Sequence, residues 1–377
     1  MAFLLTQLKD LYIKMMGFHT DRKLVVFESD DWGSIRMPSR EVFEKLKSLG
    51  DTPENDGFLS NDCLENESDL LSLYEVLESV CDSKNRSPIF TLNFAMANPN
   101  FDKIDPENNV YSYEPFYETY TRYYGKNNIL DLIKTGYQNR LILPQLHCRE
   151  HLNVGRWMHD LSEKRPDTLL AFENKTMGVG ASFHELNKFA YMDEFNTDHA
   201  SNEELASILS DAVKMFTETF GFESLTFVAS CFVWNKQLEE CLLKNGIRYI
   251  QSSSWQNTPI GIGGQYKLKR TIHYTGERNK NRQLYSVRNC SFEPAYKQNP
   301  KEAAEACLRE IAEAFKSKKP AIINSHRFNY IASINPENRK NNLMGLKELL
   351  VAIVSQYPDV EFVSSAELFA IMDQENK

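Results

Sequence analysis

Residues 27–34 read FESDDWGS, and they set two adjacent carboxylates, Asp30 and Asp31, at the end of the apolar run LVVF (24–27). In a regular strand neighbouring side chains point to opposite faces. Two carboxylates at one strand end also repel each other, so they need a cation, a proton or open water beside them. Working outward, the same kind of run recurs: LVVFES (24–29), PIFTLNF (88–94), RLILPQLH (140–147), LTFVAS (225–230), RYIQS (248–252), LYSVRN (284–289), PAIINSH (320–326) and VEFVSS (360–365). Each reads as a strand. Helical patterns lie between many of them. Ser68–Cys81 sets Leu70, Leu73, Tyr74, Leu77 and Val80 on one face, and Ser201 with Glu204 makes a capping box ahead of a helix that stops at Gly221. Asn235 caps a helix ending near Asn245, Pro300 opens another, and a last one covers about Leu343–Gln356. Strand and helix alternating at this spacing predict a parallel sheet. Eight strand runs predict an α/β fold, an irregular (β/α) barrel of seven or eight staves; an open doubly wound sheet is the alternative.

No linker or composition break divides the chain. The expected organisation is an N-terminal helix over 1–22 packed on the body and a single barrel domain over 23–377, with long connections at about 50–67, 97–138, 175–200 and 253–282 as loops over one face. The 377 residues are 42% hydrophobic and 25% charged, with a net charge of −9, which argues against a general nucleic-acid-binding surface. Seven scattered cysteines without a CxxC pair argue against a disulfide framework or a structural zinc site and favour a reducing, cytoplasmic compartment. No run approaches the roughly 18 apolar residues of a membrane span. The start, MAFLLTQLKDLYIKMM, lacks a basic first segment and a cleavage site, so it reads as an amphipathic helix rather than a signal peptide. Contact with a membrane surface through that helix is the alternative reading.

In a parallel barrel the C-terminal strand ends converge on one face, where active sites are built. Those ends carry Asp30 and Asp31; Asn93; His147, followed by His151; Cys231; Arg288 and Asn289; and Asn324, Ser325 and His326. His147 and His151 are four apart, the spacing of a metal pair if HCREH opens a helical turn. One Asp then completes a His2Asp site, the other stays unligated to accept a proton from water, and the metal charge makes the acid doublet tolerable. His326, at a strand end, is a candidate acid. HCREH also fits the inverted zinc-protease pattern H-x-x-E-H, with Glu150 as base. That reading leaves the Asp pair and His326 unexplained. His184, in SFHELNKF, reads as a loop or short-helix residue near aromatics.

With these residues in place, the sequence resembles the polysaccharide deacetylases, the NodB-homology group within carbohydrate esterase family 4. SDDWG (29–33) is similar to the family's first motif, TFDDG; HCREH (147–151) to the second, H-[ST]-x-x-H; and INSH (323–326) to the late L-x-H motif. The resemblance implies Asp30 as base, Asp31, His147 and His151 as metal ligands, and His326 as acid. It also implies the irregular NodB-type barrel and a sugar substrate. Cys148 stands where Ser or Thr is usual and Leu152 where Pro is usual. VASCFVWN (228–235) lacks the third motif's Arg and Pro, and the fourth motif is not recognisable. RNCSFEP (288–294) occupies a similar place, with Arg288 to orient Asp30 and Glu293 to support His326. Trp32, Asn93, Cys231, Trp234 and Glu293 are the candidates for substrate contact. Zn²⁺ is the expected ion for two His and one carboxylate, with Co²⁺, Mn²⁺ and Fe²⁺ as alternatives.

The function expected is metal-dependent removal of an N-acetyl or similar acyl group from a sugar or polysaccharide precursor. Hydrolysis of a non-sugar C–N bond and a catalytically silent carbohydrate-binding barrel are the alternatives. Metal content and acetate release discriminate among the three.

Overall fold

The computed structural model describes residues 9, 11–49, 57–178, 190–297 and 299–375. Nine strands form one parallel sheet: β1 (Lys23–Trp32), β2 (Phe90–Ala95), β3 (Ile142–Cys148), β4 (Thr226–Val228), β5 (Tyr249–Ser252), β6 (Leu284–Val287), β7 (Cys290–Ser291), β8 (Ala321–His326) and β9 (Val360–Phe362). Their order is β6-β5-β4-β3-β2-β1-β8-β7, with β9 beside the first residues of β1. The two edges belong to one run of chain. β6 pairs with β5, Arg288 N donates to Ser252 O (3.0 Å), Asn289 N donates to Ile322 O (3.0 Å), and β7 pairs with β8. The curled sheet therefore meets itself at residues 284–291. Its staves are β1, β2, β3, β4, β5, the β6–β7 run and β8, the irregular (β/α) barrel expected from the strand count.

Alternation along β1 sorts its side chains between two environments. Val25 and Phe27 face outward into the main core with Phe90, Leu92 and the helix residues Leu70, Leu73 and Leu77. Leu24 and Val26 face the barrel interior and cluster with Leu284, Ile322 and, from the C-terminal helix Ser365–Glu375, Leu368, Phe369 and Met372. That helix plugs the N-terminal end of the barrel with apolar side chains. Above the plug the interior turns polar. Gln145 Oε1 accepts the N–H groups of Leu225 (3.1 Å) and Thr226 (2.8 Å), and Gln251 Nε2 donates to Asn93 Oδ1 (3.0 Å) and Thr226 Oγ1 (2.8 Å). Buried amides in such pairs avoid the penalty of an unmet hydrogen bond. The gradient from apolar floor to polar throat puts the chemistry at the C-terminal mouth.

Several connections are more regular than loops. Residues 97–138 hold a short hairpin (Ala97–Pro99 with Tyr113–Pro115) and the helices Phe116–Tyr124 and Ile129–Gln138; the aromatic crowding FYETYTRYY hides the helical period. Residues 253–282 hold a second hairpin, Trp255–Pro259 with Leu268–Ile272. The late helix begins at Pro336, about two turns before its apolar stripe, because Pro sits well in a first turn. Near the N-terminus, residues 11–15 are helical and Tyr12 meets Tyr274 edge-on at 6.0 Å. His184 falls outside the described residues. Among the described residues no helix is long and apolar enough to cross a membrane.

Gly33 closes β1 at φ +78°, and a Cβ there would stand 2.6 Å from Ala95 O and 3.2 Å from the Phe116 ring. Its N–H donates to Glu65 Oε1 (2.8 Å). Gly33→Ala should therefore cost about 1–3 kcal/mol of stability, read as a lower urea midpoint. An unchanged midpoint would show that the turn relaxes freely.

Candidate metal centre and active site

The Asp doublet is made usable by a bulge. Ser29 pairs with Leu92 and Trp32 with Phe94, so β1 has one residue more than β2 over this stretch. Asp31 takes up the excess in left-handed backbone, φ +73°. A bulge re-aims side chains. Asp30 keeps the inward parity of Glu28, while Asp31, which regular alternation would send outward, turns toward the mouth. β3 carries a matching irregularity: Phe94 pairs with Leu146 and Ala95 with Cys148, leaving His147 as the extra residue. His147 ends a strand and His151 follows a bend in left-handed backbone (φ +57°), so HCREH is not the helical turn expected. The two imidazoles converge nonetheless, with ring centroids 4.7 Å apart.

Asp31 Oδ1 lies 3.4 Å from His147 Nε2 and 3.2 Å from His151 Nε2, and all three side chains are buried. Asp31 Oδ1 has no hydrogen-bond partner among the described residues. His147 Nδ1 is 2.8 Å from Val228 O and donates to it, which leaves the Nε2 lone pair facing Asp31. Burial pushes the His151 imidazole down to about 3, against the pull of Asp31, so it is neutral. Burial pushes Asp31 up, but Arg36, whose Nη2 is 3.3 Å from Oδ2, and the nearby histidines hold the carboxyl well below its usual range. A carboxylate oxygen without a hydrogen-bond donor, opposite two imidazole Nε2 atoms, is a donor set that could hold a divalent cation. The residues fit such an ion.

Asp30 stands beside this set but outside it. Its Oδ1 accepts from Asn93 Nδ2 (2.7 Å) and Arg288 Nη2 (2.7 Å), and Oδ2 accepts from Arg288 Nη1 (2.6 Å). Burial pushes Asp30 up; the Arg288 charge and its paired hydrogen bonds overcome that and hold it down to about 2. Arg288 is itself fixed by Glu28 Oε2 (2.7 Å) and Asn324 Oδ1 (2.7 Å). Asp30 pairs with His326 across the β1–β8 register. His326 Nδ1 is 2.5 Å from Glu293 Oε1, whose other contacts are Asn324 Nδ2 (2.8 Å) to Oε1 and Asn329 Nδ2 (2.6 Å) to Oε2. Burial pushes His326 down, but Glu293, with Asp31 and Asp30 behind it, raises it to about 9.

A raised folded value means that His326 contributes stability fully below its ordinary value near 6.5. That contribution is lost as pH rises through about 9. The wild type's margin over His326→Gln in urea should therefore be larger at about pH 6 than at about pH 10. Equal margins would show that the Glu293 contact does not hold the proton.

The other expected residues divide. Asn93 and Glu293 sit at the site, holding Asp30 and His326 rather than lying open. Trp32 is wholly buried, with its Nε1 donating to Ser29 Oγ (2.9 Å) and its ring near Phe94; Trp234 is wholly buried, with Nε1 donating to Glu239 Oε1 (3.0 Å). Both indoles lie in the main outer core: the bulge turns Asp31 toward the mouth while Trp32 stays outward, and Trp234, in the connection after β4, packs there with its Nε1 tied to Glu239. Cys231 is half-buried in left-handed backbone (φ +54°) beyond β4, its carbonyl accepting from Asn257 Nδ2 (3.2 Å). Glu150, the base of the inverted zinc-protease reading, is buried against Arg149 Nε (2.7 Å). Arg36, Glu28 and Gln251 were missed. Alternation could have found Glu28, which shares a face with Asp30; nothing local marks Arg36.

The fold is an irregular parallel (β/α) barrel, and the three motifs, far apart in sequence, meet on one face of it. No protein-family model matches the chain, and no curated protein matches it by sequence. By structure it is similar to a 4-alpha-glucanotransferase from Thermococcus litoralis (11% identity, TM-score 0.46, covering 93% of this chain and 40% of that one). It is also similar to a putative polysaccharide deacetylase from Mycobacterium smegmatis (10%, 0.45, covering 96% and 94%) and to a probable polysaccharide deacetylase from Pseudomonas aeruginosa PAO1 (8%, 0.48, covering 92% and 90%). The chain thus spans 40% of the length of the glucanotransferase. Likeness at this level says nothing about chemistry, which rests on the side chains themselves.

Proposed function

We propose that this protein is a metal-dependent hydrolase that removes an N-acetyl or similar acyl group from a sugar or polysaccharide precursor, with Zn²⁺ as its ion. The observation that carries the reading is the buried, donor-free Asp31 Oδ1 facing His147 Nε2 and His151 Nε2, with an ionised Asp30 and a protonated His326 on either side. Asp31, His147 and His151 would hold the ion; when bound, it supplies Lewis acidity, polarising the acyl carbonyl and acidifying water.

The chain's own groups then divide the proton work. Asp30 takes the proton of the attacking water. Arg288 and Asn93 keep its carboxylate ionised and oriented, so that no reorganisation is needed during attack. His326 gives a proton from Nε2 to the departing nitrogen, and Glu293, on Nδ1, fixes the ring and keeps it protonated at neutral pH. The two groups are pushed in opposite directions by their partners, as an acid–base pair requires.

The test is metal analysis of the purified protein together with acetate release from N-acetylglucosamine oligomers. Stoichiometric metal with acetate release is expected. Stoichiometric metal without acetate release would shift the reading to another C–N bond, and absence of metal would leave a silent carbohydrate-binding barrel.

A further inference from the structure

Five arginines are buried among the described residues of the barrel mouth and its loops, and four of them make two or more hydrogen bonds; Arg149 donates to Glu150 and Asp211. Arg288 donates to Glu28, Asp30, Asn324 and Gln251. Arg327 donates to Asp62, Glu65 and the Ser34 carbonyl. Arg156 donates to Asp193, Asp198 and the Ala190 carbonyl. Arg36 differs. Its side chain is 9% exposed, yet among the described residues it makes a single hydrogen bond, Nη2 to Asp31 Oδ2 at 3.3 Å. Its Nε lies 3.2 Å from Asp62 Oδ2, but out of line, and both atoms are without a hydrogen-bond partner. A buried donor left unmet costs about 1–3 kcal/mol, and a guanidinium has five N–H groups to satisfy.

The guanidinium is also held in place. It stacks over the Phe58 ring at 5.1 Å, and Phe58 stands edge-on to His326 at 5.4 Å. The ion chain Glu65–Arg327–Asp62 backs it from behind. Arg36 is thus charged and under-satisfied, in contact with the Asp31 ligand and with the Phe58 ring that abuts the His326 acid.

We propose that Arg36 is a binding residue for a carboxylate-type oxyanion placed beside the Asp31–His147–His151 cluster. The inference rests on the metal-site reading above for the identity of its neighbour. Paired donors of this kind bind carboxylates in charge-assisted fashion. The anion has two sources, the carboxylate released when the acyl C–N bond is hydrolysed or an acid group carried by the sugar.

The experiment uses acetate and glucuronate as probes, titrated into the full-length, metal-analysed protein and followed by saturation-transfer NMR. Acetate should bind the wild type, bind Arg36→Met at least about tenfold more weakly, and retain part of its affinity in Arg36→Lys, with affinities compared per folded, metal-loaded protein after metal content and fold are measured on each variant. Arg36-dependent binding stronger for acetate assigns the acyl side, and stronger for glucuronate assigns the sugar side. Chelator-treated protein separates the two readings. Binding that needs Arg36 but not metal keeps this inference and loses the metal site. Binding that needs metal but not Arg36 overturns this inference alone, as does failure of the wild type to bind either probe.

Discussion

Asp30→Asn should lower kcat by about 10²–10⁴-fold, the contribution of a positioned general base, and leave bound metal at the wild-type level. Both halves of the expectation come from geometry. Asp30 is outside the group whose donor atoms converge, so removing its charge takes nothing from the ligand set. Its carboxylate is nonetheless gripped by a two-pronged Arg288 contact that favours the charged form. Asparagine preserves the shape and the Asn93 neighbour but has no basic oxygen to receive a proton. Arg288 keeps its 2.7 Å contact with Glu28 in the variant, so the buried guanidinium is not left without a partner and the fold should persist. The measurements are acetate release and metal content on one preparation. Wild-type turnover with metal retained would refute the role given to Asp30.

His151→Ala should remove both metal and turnover. Loss of a second-shell partner already weakens metal binding by about 10–100-fold, and removal of a direct nitrogen donor should exceed that. The local backbone argues that the effect is on binding and not on folding. His151 lies in a bend at φ +57°, its Nδ1 has no hydrogen-bond partner among the described residues, and the ring's near neighbours are Asp31 and His147. The expected result is metal near zero after dialysis with an unfolding midpoint close to that of the metal-free wild type. An alanine variant that kept stoichiometric metal would mean that the ion, if present, is held elsewhere.

Much of the site was legible from the sequence because parallel barrels send strand ends to one place. Asp30, His147, Arg288 and His326 each terminate an apolar run, and the topology alone makes them neighbours. Glu293 was found only by its closeness in sequence to Arg288, yet it is the group that keeps His326 charged. The two tryptophans look available because each is a large aromatic next to polar residues, yet both are buried: the β1 bulge leaves Trp32 pointing outward, and Trp234 sits in a connection packed into the core. Arg36 and Phe58 were invisible because each lies in a connection, where no period marks a direction. The helix Phe116–Tyr124 was hidden by side chains whose aromatic bulk blurs the amphipathic stripe, whereas Ile129–Gln138 carries an apolar face, with Ile129 and Ile133 buried, that the sequence does show.

By itself, then, the sequence determined the number of strand runs, the parallel architecture and which residues stand at the C-terminal ends, because all three follow from local periodicity and the need to cover both faces of a parallel sheet. Only the tertiary structure decided that Asp31 turns inward with Asp30 and that His147 and His151 meet it. That outcome depends on register slips between β1 and β2 and between β2 and β3. A slip is settled by hydrogen bonding to a neighbour some sixty residues away along the chain, so no local pattern can encode it.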